Sequence, residues 1–373
     1  MFNIKVILLV VFFVFITVLV VFFRRSGVNL NKTGNLKNEA NIVALQIAGK
    51  SPVIKSIKLV GDSQGRPITI ENSYGDLWFS TWADDDNIYT TWGDGRGFGN
   101  ILSDVGVARL EGLLPNLQGK IVYYEKHPGI LRLGDNDKPS SLLFLNGRLY
   151  GHFFSPLANP RIGYTVYSDN YGKTWTRVGY YTNEKDKPQD VSPWTSENNS
   201  FFRCLSFLNM GKNYEQNRDG YIYGYGVPKP GRWNEGVYLT RVKKEEILNY
   251  GAYEYLVETV KGEPIWSKKQ LEVNPLPGLK TPGQVSVIYH PGVGRYLLLT
   301  SEDLFDAPAP WGLWTHVGTW NNLQDGWGGG YQPGIVSKGL GEDSFWFTIS
   351  GQPKKGAEVP YKLNLGKMIM KLY

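Results

Sequence analysis

The chain is poor in cysteine, histidine and methionine: its 373 residues include one Cys, Cys204, four His and four Met. A single cysteine excludes an intrachain disulfide framework. The histidines, His127, His152, His290 and His316, offer with one thiol no Cys/His ligand spacing, so structural zinc is excluded and neither metal nor other cofactor is expected. Basic runs are missing too. The formal net charge of +6 is spread along the chain, and no nucleic-acid partner is expected. A dinucleotide or phosphate loop is absent, since GDGRGFG (93–99) precedes no helical pattern. Ser140 and Ser141 have neither a nucleophile elbow nor a His partner nearby, which leaves a serine hydrolase unsupported.

Aromatics and glycines are abundant: 14% of residues are Phe, Trp or Tyr, with 44 Gly and 21 Pro, and 42% are hydrophobic. This composition belongs to a folded chain of short strands and many turns, so the expected class is all-β. One long apolar run interrupts it. VILLVVFFVFITVLVVFF (6–23) is long enough as a helix to cross a hydrocarbon core. No small-x-small cleavage site follows before Arg24 and Arg25, which favours an uncleaved single-pass anchor over a signal peptide. Lys5 precedes the run and Arg24, Arg25 and Lys32 lie after it, a charge count that opposes export of the C-terminal domain. The expectation is nonetheless a periplasmic or extracellular domain, because large C-terminal domains translocate despite modest flanking charge. The divisions expected are an anchor (1–25), a polar tether (26–42) and one folded domain (43–373).

Within that domain, apolar or aromatic runs are broken every eight to twelve residues by Gly, Asn, Asp or Pro. A unit of apolar strand, tight polar turn and Tyr-rich strand recurs: LWFSTWADDDNIYTTWGDG (77–95), SSLLFLNGRLYGHFF (140–154), FFRCLSFLNMGKNYEQNRDGYIYGYG (201–226) and QVSVIYHPGVGRYLLLTSE (284–302). A weaker fifth is DSFWFTISGQ (343–352). Each hairpin is read as the inner pair of a four-stranded blade, so the fold expected is a five-bladed β-propeller behind a transmembrane helix. SPVIKSIKLVG (51–61) is read as a strand added to the last blade, closing the ring. The rival architecture is a two-sheet sandwich of repeated hairpins.

SDNYGKTW (168–175) matches the Asp-box pattern, with Asn170 at the usual Asp position. Gly172 would permit the turn, Asn170 would bond neighbouring backbone N–H groups and Trp175 would pack beneath. The box resembles those joining outer strands in the blades of sialidases and other glycan-active propellers, and implies architecture more than chemistry. YGDLWFSTWADDDNIYTTWGDGRGFG (74–99), YSDNYGKTW (167–175), GQVSVIYHPGVGRYLLLTSED (283–303) and APWGLWT (309–315) resemble a bacterial propeller family long labelled as of unknown function, some relatives of which are arabinan-degrading glycoside hydrolases. The resemblance implies a five-bladed propeller with a funnel active site.

In a propeller the innermost strand of each blade starts at the ligand face. Asp84, Asp85 and Asp86 fall in a hairpin turn on the other face and are read as turn residues. Asp76, before the first inner strand, and Asp94, after the returning strand, fall on the ligand face; Asp137 and Lys138 stand at the entrance of blade two, with Glu197, Asn198 and Arg203 ahead of blade three. Glycoside hydrolysis needs two carboxyl groups, one protonated and one ionised, so Asp76, Asp94, Asp137 and Glu197 are the catalytic candidates, with Glu302 as a substitute for Glu197. The resemblance to arabinanase-type propellers implies roles of base for Asp76, orienting acid for Asp137 and general acid for Glu197. Sugar binding is assigned to aromatic platforms, Trp78, Trp92, Trp194 and Trp311, and to polar partners, Arg96, Lys138, Arg203, Gln284 and Glu302. No base role is assigned to His152, in strand two, or to His290, read as a turn residue. The function expected is hydrolysis of a cell-wall or extracellular polysaccharide, arabinan-like furanosides first, with a polysaccharide or oligosaccharide and the membrane as partners. The alternative is a non-catalytic glycan-binding or adhesion propeller. A third reading, a sialidase-like enzyme or polysaccharide lyase, requires Arg96, Arg203 and Arg295 to converge.

Overall fold

The computed structural model describes residues 50–126, 129–179, 192–228, 235–321, 326–353 and 356–373. The anchor and tether read from the sequence, and His127, lie outside the described residues. Among the described residues no helix is long and apolar enough to cross a membrane. Ala48–Tyr373 forms one compact unit.

Nearly all regular structure is β. β1 (Ile54–Val60) and β2 (Ile68–Thr69) precede a first antiparallel sheet of β3 (Tyr74–Asp76), β4 (Ser80–Trp82), β5 (Ile88–Gly97), β6 (Ser103–Leu113) and β7 (Asn116–Glu125). β8 (Lys138–Leu145), β9 (Arg148–Ser155), β10 (Ile162–Ser168) and β11 (Thr176–Arg177) form the second. The third contains β12 (Cys204–Asn209), β13 (Tyr221–Val227), β14 (Glu235–Lys243), β15 (Glu254–Val260), β16 (Glu263–Ser267) and β17 (Pro275–Thr281). β18 (Ser286–His290), β19 (Arg295–Leu299), β20 (Asp303–Ala307) and β21 (Thr315–Thr319) make the fourth unit, and β22 (Tyr331–Val336), β23 (Ser344–Ser350) and β24 (Asn364–Leu372) the fifth. β1 pairs antiparallel with β24, with Ile54 opposite Leu372 and Val60 opposite Lys367, so the fifth unit is completed from the other end of the domain.

The innermost strands β4, β8, β12, β18 and β22 neighbour one another in cyclic order, and β22 returns to β4. That is a β-propeller and not a two-sheet sandwich. An inner strand lacks a full backbone ladder on its axial edge, so its polar groups need other partners. Hydroxyl and amide side chains supply them. Thr81 donates to Asn209 Oδ1 at 2.7 Å and accepts the Phe144 N–H at 3.0 Å; Asn209 donates to Leu142 O at 3.1 Å. Ser140 donates to Leu205 O at 2.9 Å and Ser141 accepts the Phe207 N–H at 2.7 Å. Among the described residues, β12 and β18 are the one pair of inner strands that meet through the backbone, in parallel over Leu208 and Val287 and over Asn209 and Ile288.

The apolar core lies in wedges between sheets. Tyr89, Val105 and Val107 of the first pack on Leu142, Phe144 and Val166 of the second, and Leu297 and Leu299 of the fourth pack on Phe345, Phe347 and Met368 of the fifth. The fifth repeat departs from the sequence reading. Residues 343–352 hold only its second strand, and the inner partner is Tyr331–Val336. YQPGIV did not read as a strand because Pro and Gly interrupt it, yet Pro333 is tolerated on an axial edge where an N–H has no ladder partner. The turn before β11 bonds as its residues dictate. Asn170 Oδ1 accepts the Thr174 N–H at 2.9 Å, the Gly172 N–H reaches Ser168 Oγ at 2.8 Å, and Trp175 is buried.

Candidate active site

All inner strands begin at one end of the ring, and three of them, or the segments leading to them, are irregular there. Register shifts fall between Tyr74 and Asp76, between Pro139 and Ser141, and between Tyr331 and Gly334. Bulges of this kind re-aim side chains at the end of a strand. The same rim holds non-glycine residues with left-handed backbone: Leu77 (φ 56°), Asp94 (φ 45°), Asn136 (φ 64°) and Gln332 (φ 49°). Such strain persists only where the surroundings over-determine it, and it concentrates at functional sites.

These irregular segments converge on two carboxylates. Asp76 is 6% exposed, and the Tyr331 hydroxyl from the fifth unit donates to its Oδ2 at 2.5 Å. Its Oδ1 is buried without a hydrogen-bond partner. Burial pushes the Asp76 carboxyl up to about 6 and the adjacent Asp94 carboxylate adds to the rise, while the Tyr331 and Tyr361 hydroxyls and Lys138 oppose it. Asp94 is more open and ion-paired with the Lys138 ammonium of the second unit, which also donates to Asn136 Oδ1. The Tyr361 hydroxyl donates to Asp94 O at 3.1 Å, and its ring meets Tyr74 edge-on at 5.3 Å. Arg96, exposed, lies over Tyr74 at 5.4 Å. Close backbone approach makes room for this cluster: a Cβ on Gly93 would sit 2.8 Å from Asp76 Oδ1, and one on Gly95 would sit 2.1 Å from Tyr74 O.

Of the sequence candidates, Asp76, Asp94, Lys138 and Arg96 are thus brought to one place. Asp137 is at the same rim, but its carboxylate is fully buried and occupied by the Ser155 hydroxyl (2.5 Å), the Tyr164 hydroxyl (2.7 Å) and the Leu133 N–H (2.6 Å). It pins the 133–137 loop. Glu197 is exposed in the turn before β12, on the wall of a separate groove. Gln284 is buried, donating to Pro139 O at 3.0 Å, and Arg203 donates to Pro228 O at 2.7 Å. Glu302 is half-buried in the β19–β20 turn, where its carbonyl accepts the Trp320 N–H.

The aromatic platforms are corrected by the structure. Trp78, Trp92 and Trp194 are fully buried in the wedges, where large rings fill space between twisted sheets. Trp78 donates to Gly75 O at 3.0 Å, and Trp194 packs edge-on against Tyr250 and Tyr253. Trp311 follows β20, at the far end of the ring, and donates to Gly262 O at 2.9 Å. His290 is corrected as well: it is the buried last residue of β18, bonded to Ser344 O at 3.1 Å. His152 is buried in β9 and burial pushes it down to about 3, consistent with no base role. The arginine convergence fails, because Arg295 opens β19 at the far end and is held by buried Asp306 at 2.7 Å. Asp84 to Asp86 lie in the β4–β5 turn as expected, with Asp86 paired to Lys212 and Lys338. Sequence reasoning missed Tyr331, Tyr361, Asn136 and Tyr74, since a Tyr at a strand start or in a loop has no spacing signal of its own.

Residues 138–351, more than half of the chain, match the family described as Domain of unknown function (DUF4185). The chain belongs to the DUF4185 family. The DUF4185 span contains Lys138 and Tyr331 of the cluster, while Asp76, Asp94 and Tyr361 lie outside it. A search of curated proteins finds no match. Among solved structures, this DUF4185 protein is similar to a GH43_1 enzyme from Xanthomonas citri (14% identity, 82% of this chain and 92% of that chain covered, TM-score 0.48). It is similar also to the alpha-L-arabinofuranosidase PaAbf62A from Podospora anserina, crystallised with cellotriose (12%, 85% and 97%, 0.47). A third is a Penicillium chrysogenum alpha-L-arabinanase complexed with arabinobiose (11%, 84% and 76%, 0.40).

Proposed function

We propose that this protein is a glycoside hydrolase of a cell-wall or extracellular polysaccharide, carried on a membrane anchor, with Asp76 and Asp94 as its working carboxyls. The single observation behind the reading is their pairing at the ring entrance in two unlike environments. A buried carboxyl with a raised affinity for a proton, beside a more open one in an ion pair, fits the division of labour between acid and base. Asp76 is buried, and its raised affinity for a proton suits the general acid that protonates the leaving oxygen. Asp94 is held by a lysine ammonium, which suits the ionised partner that activates water or attacks the anomeric carbon. Tyr331 orients Asp76 by fixing one oxygen, while the other is buried without a hydrogen-bond partner. Lys138 and Asn136 fix Asp94 from the neighbouring blade. This pairing differs from the base, orienting and acid roles expected of Asp76, Asp137 and Glu197: Asp137 bonds Ser155, Tyr164 and Leu133 and no member of the cluster, and Glu197 lines another groove. Arabinan-like furanosides remain the first substrate class to test, on the resemblance carried by residues 74–99 and 283–303.

The test is release of reducing ends from a panel of neutral polysaccharides. Asp76→Asn and Asp94→Asn should each lower kcat/KM by about 10²- to 10⁴-fold. If Asp76 is the acid, activity of the parent should fall as pH rises through about 6. Full activity in both variants would refute the assignment. A non-catalytic glycan-binding propeller is the second reading. The burial of three of the four expected aromatic platforms weakens it, and binding without turnover in the parent would restore it.

A further inference from the structure

The turn that carries Glu197 separates two adjoining cavities that both use Glu197 and Asn198 as walls. One, of about 590 Å³, extends to Asn199, Gln270, Leu271 and Glu272. The other, of about 580 Å³, extends to Leu133, Asn159 and Pro160. Part of the wall is internally satisfied and therefore stiff. Gln270 accepts from Ser200 Oγ at 3.1 Å and donates to Pro193 O at 3.3 Å, and Glu272 is paired with Lys269 at 3.0 Å. Three exposed planar groups are not so engaged: among the described residues, no hydrogen bond or ion pair occupies the side chains of Asn159, Glu197 or Asn199. Asn199 is held in left-handed backbone (φ 49°), and Leu271, 65% exposed, offers an apolar surface beside it.

Planar amide and carboxylate groups next to an apolar patch match a sugar ring, whose hydroxyls need paired donors and acceptors while its C–H face needs apolar contact. The charge balance narrows the class. In the first cavity Lys269 is paired with Glu272 and no ion pair engages Glu197, so its charged lining residues sum to one negative charge, which opposes an acidic polymer more than a neutral one. The second cavity shares a loop with Lys138 of the carboxylate cluster. Leu133 lines it, and the five-residue step from Leu133 to Lys138 spans at most about 18 Å. That step is rigid because buried Asp137 accepts the Leu133 N–H.

We propose that these cavities are distal subsites, which grip a neutral polysaccharide chain running from the Asp76–Asp94 pair across the Leu133–Lys138 loop. The proposal rests on the hydrolase reading for its direction, and its test separates the two. The full chain in detergent, as parent, Asp76→Asn and Glu197→Ala/Asn199→Ala, is run by affinity electrophoresis through gels holding arabinan, xylan, mannan or polygalacturonate. Hydrolysis of arabinan and of 4-nitrophenyl arabinofuranoside is measured in parallel. Retention by at least one neutral polymer should weaken about tenfold in the double variant, the loss expected of two hydrogen-bonding groups. The ratio of kcat/KM on arabinan to that on the small glycoside should fall by a similar factor. Unchanged retention in the double variant, retention of the parent by polygalacturonate alone, or no retention by any polymer overturns the proposal. An equal loss of turnover on polymer and small glycoside overturns it too, because Glu197 would then act in the chemistry. If the parent hydrolyses nothing but its retention still depends on Glu197 and Asn199, the subsites stand and the hydrolase reading falls. If hydrolysis requires Asp76 while retention ignores Glu197 and Asn199, the hydrolase reading stands and the subsites fall.

Discussion

Asp76 is a liability to the fold as well as a candidate acid. Its carboxyl rises from an ordinary 3.8 to about 6 on folding, chiefly through burial. Between those pH values the native state holds a proton that the unfolded chain has released. The unfolded state thus binds fewer protons, and stability falls as pH increases. Above pH 6 the ionised side chain costs about 3 kcal/mol relative to its protonated form. Asp76→Asn, uncharged throughout, should therefore match the parent in melting temperature near pH 4 and exceed it at pH 7 to 8. A melting series across that range tests this, and a difference that stays constant with pH would contradict it. A buried carboxyl left with one oxygen unbonded costs stability, a cost that the acid role proposed for Asp76 would explain. Asp76 and Asp94 were legible in the sequence because they flank strands whose hairpin turn was plain. Tyr331 was not, because its strand is broken by Pro333 and Gly334. The tryptophans misled for a physical reason: an indole filling a wedge between sheets and an indole facing a sugar have the same pattern in a strand.

The inner strands are held across blades by side chains more than by backbone, and Thr81 joins three of them. Its hydroxyl donates to Asn209 of β12 and accepts the Phe144 N–H of β8. Thr81→Val preserves shape while leaving Asn209 Oδ1 and the Phe144 N–H buried without that partner. The expected cost is about 2–4 kcal/mol, read as a lower denaturant midpoint at unchanged slope. A loss under about 0.5 kcal/mol would mean that the wedges alone hold the ring. The same stitching explains Ser140 and Ser141, which have no evident task in the sequence and are committed to Leu205 and Phe207 in the fold. Element boundaries in the first four hairpins followed from turn chemistry. Asn146 and Gly147, both at positive φ, form the two-residue turn that an Asn-Gly pair announces. The third hairpin tolerates its longer insertion because the turn lies at the rim, outside the ladder.

At the scale of the whole molecule, the carboxylate pair depends on ring closure. Asp76 and Asp94 come from the first sheet, Lys138 from the second and Tyr331 and Tyr361 from the last, so the site exists only when the last sheet meets the first. β1 secures that meeting by pairing with β24 and by burying Ile54 and Leu59 against Phe345 and Met368. Removal of residues 50–61 would strip β24 of its outer partner and uncover that apolar wedge, leaving an exposed sheet edge. The truncated chain should unfold at lower denaturant and self-associate by light scattering. Native stability in that variant would show that the ring closes without the N-terminal strand.

The class of fold, the hairpin turns and the closing strand could be read from local pattern. Those follow from local rules, namely alternation, turn residues and the direction in which a strand enters its blade. Which acids share an environment became visible in the folded ring alone. It joined Asp76 to Asp94, withdrew Asp137 into a loop staple, moved Glu197 to a separate groove and sent the tryptophans into the wedges. Burial, pairing and charge coupling act through space between residues far apart in the chain, and no local pattern encodes them.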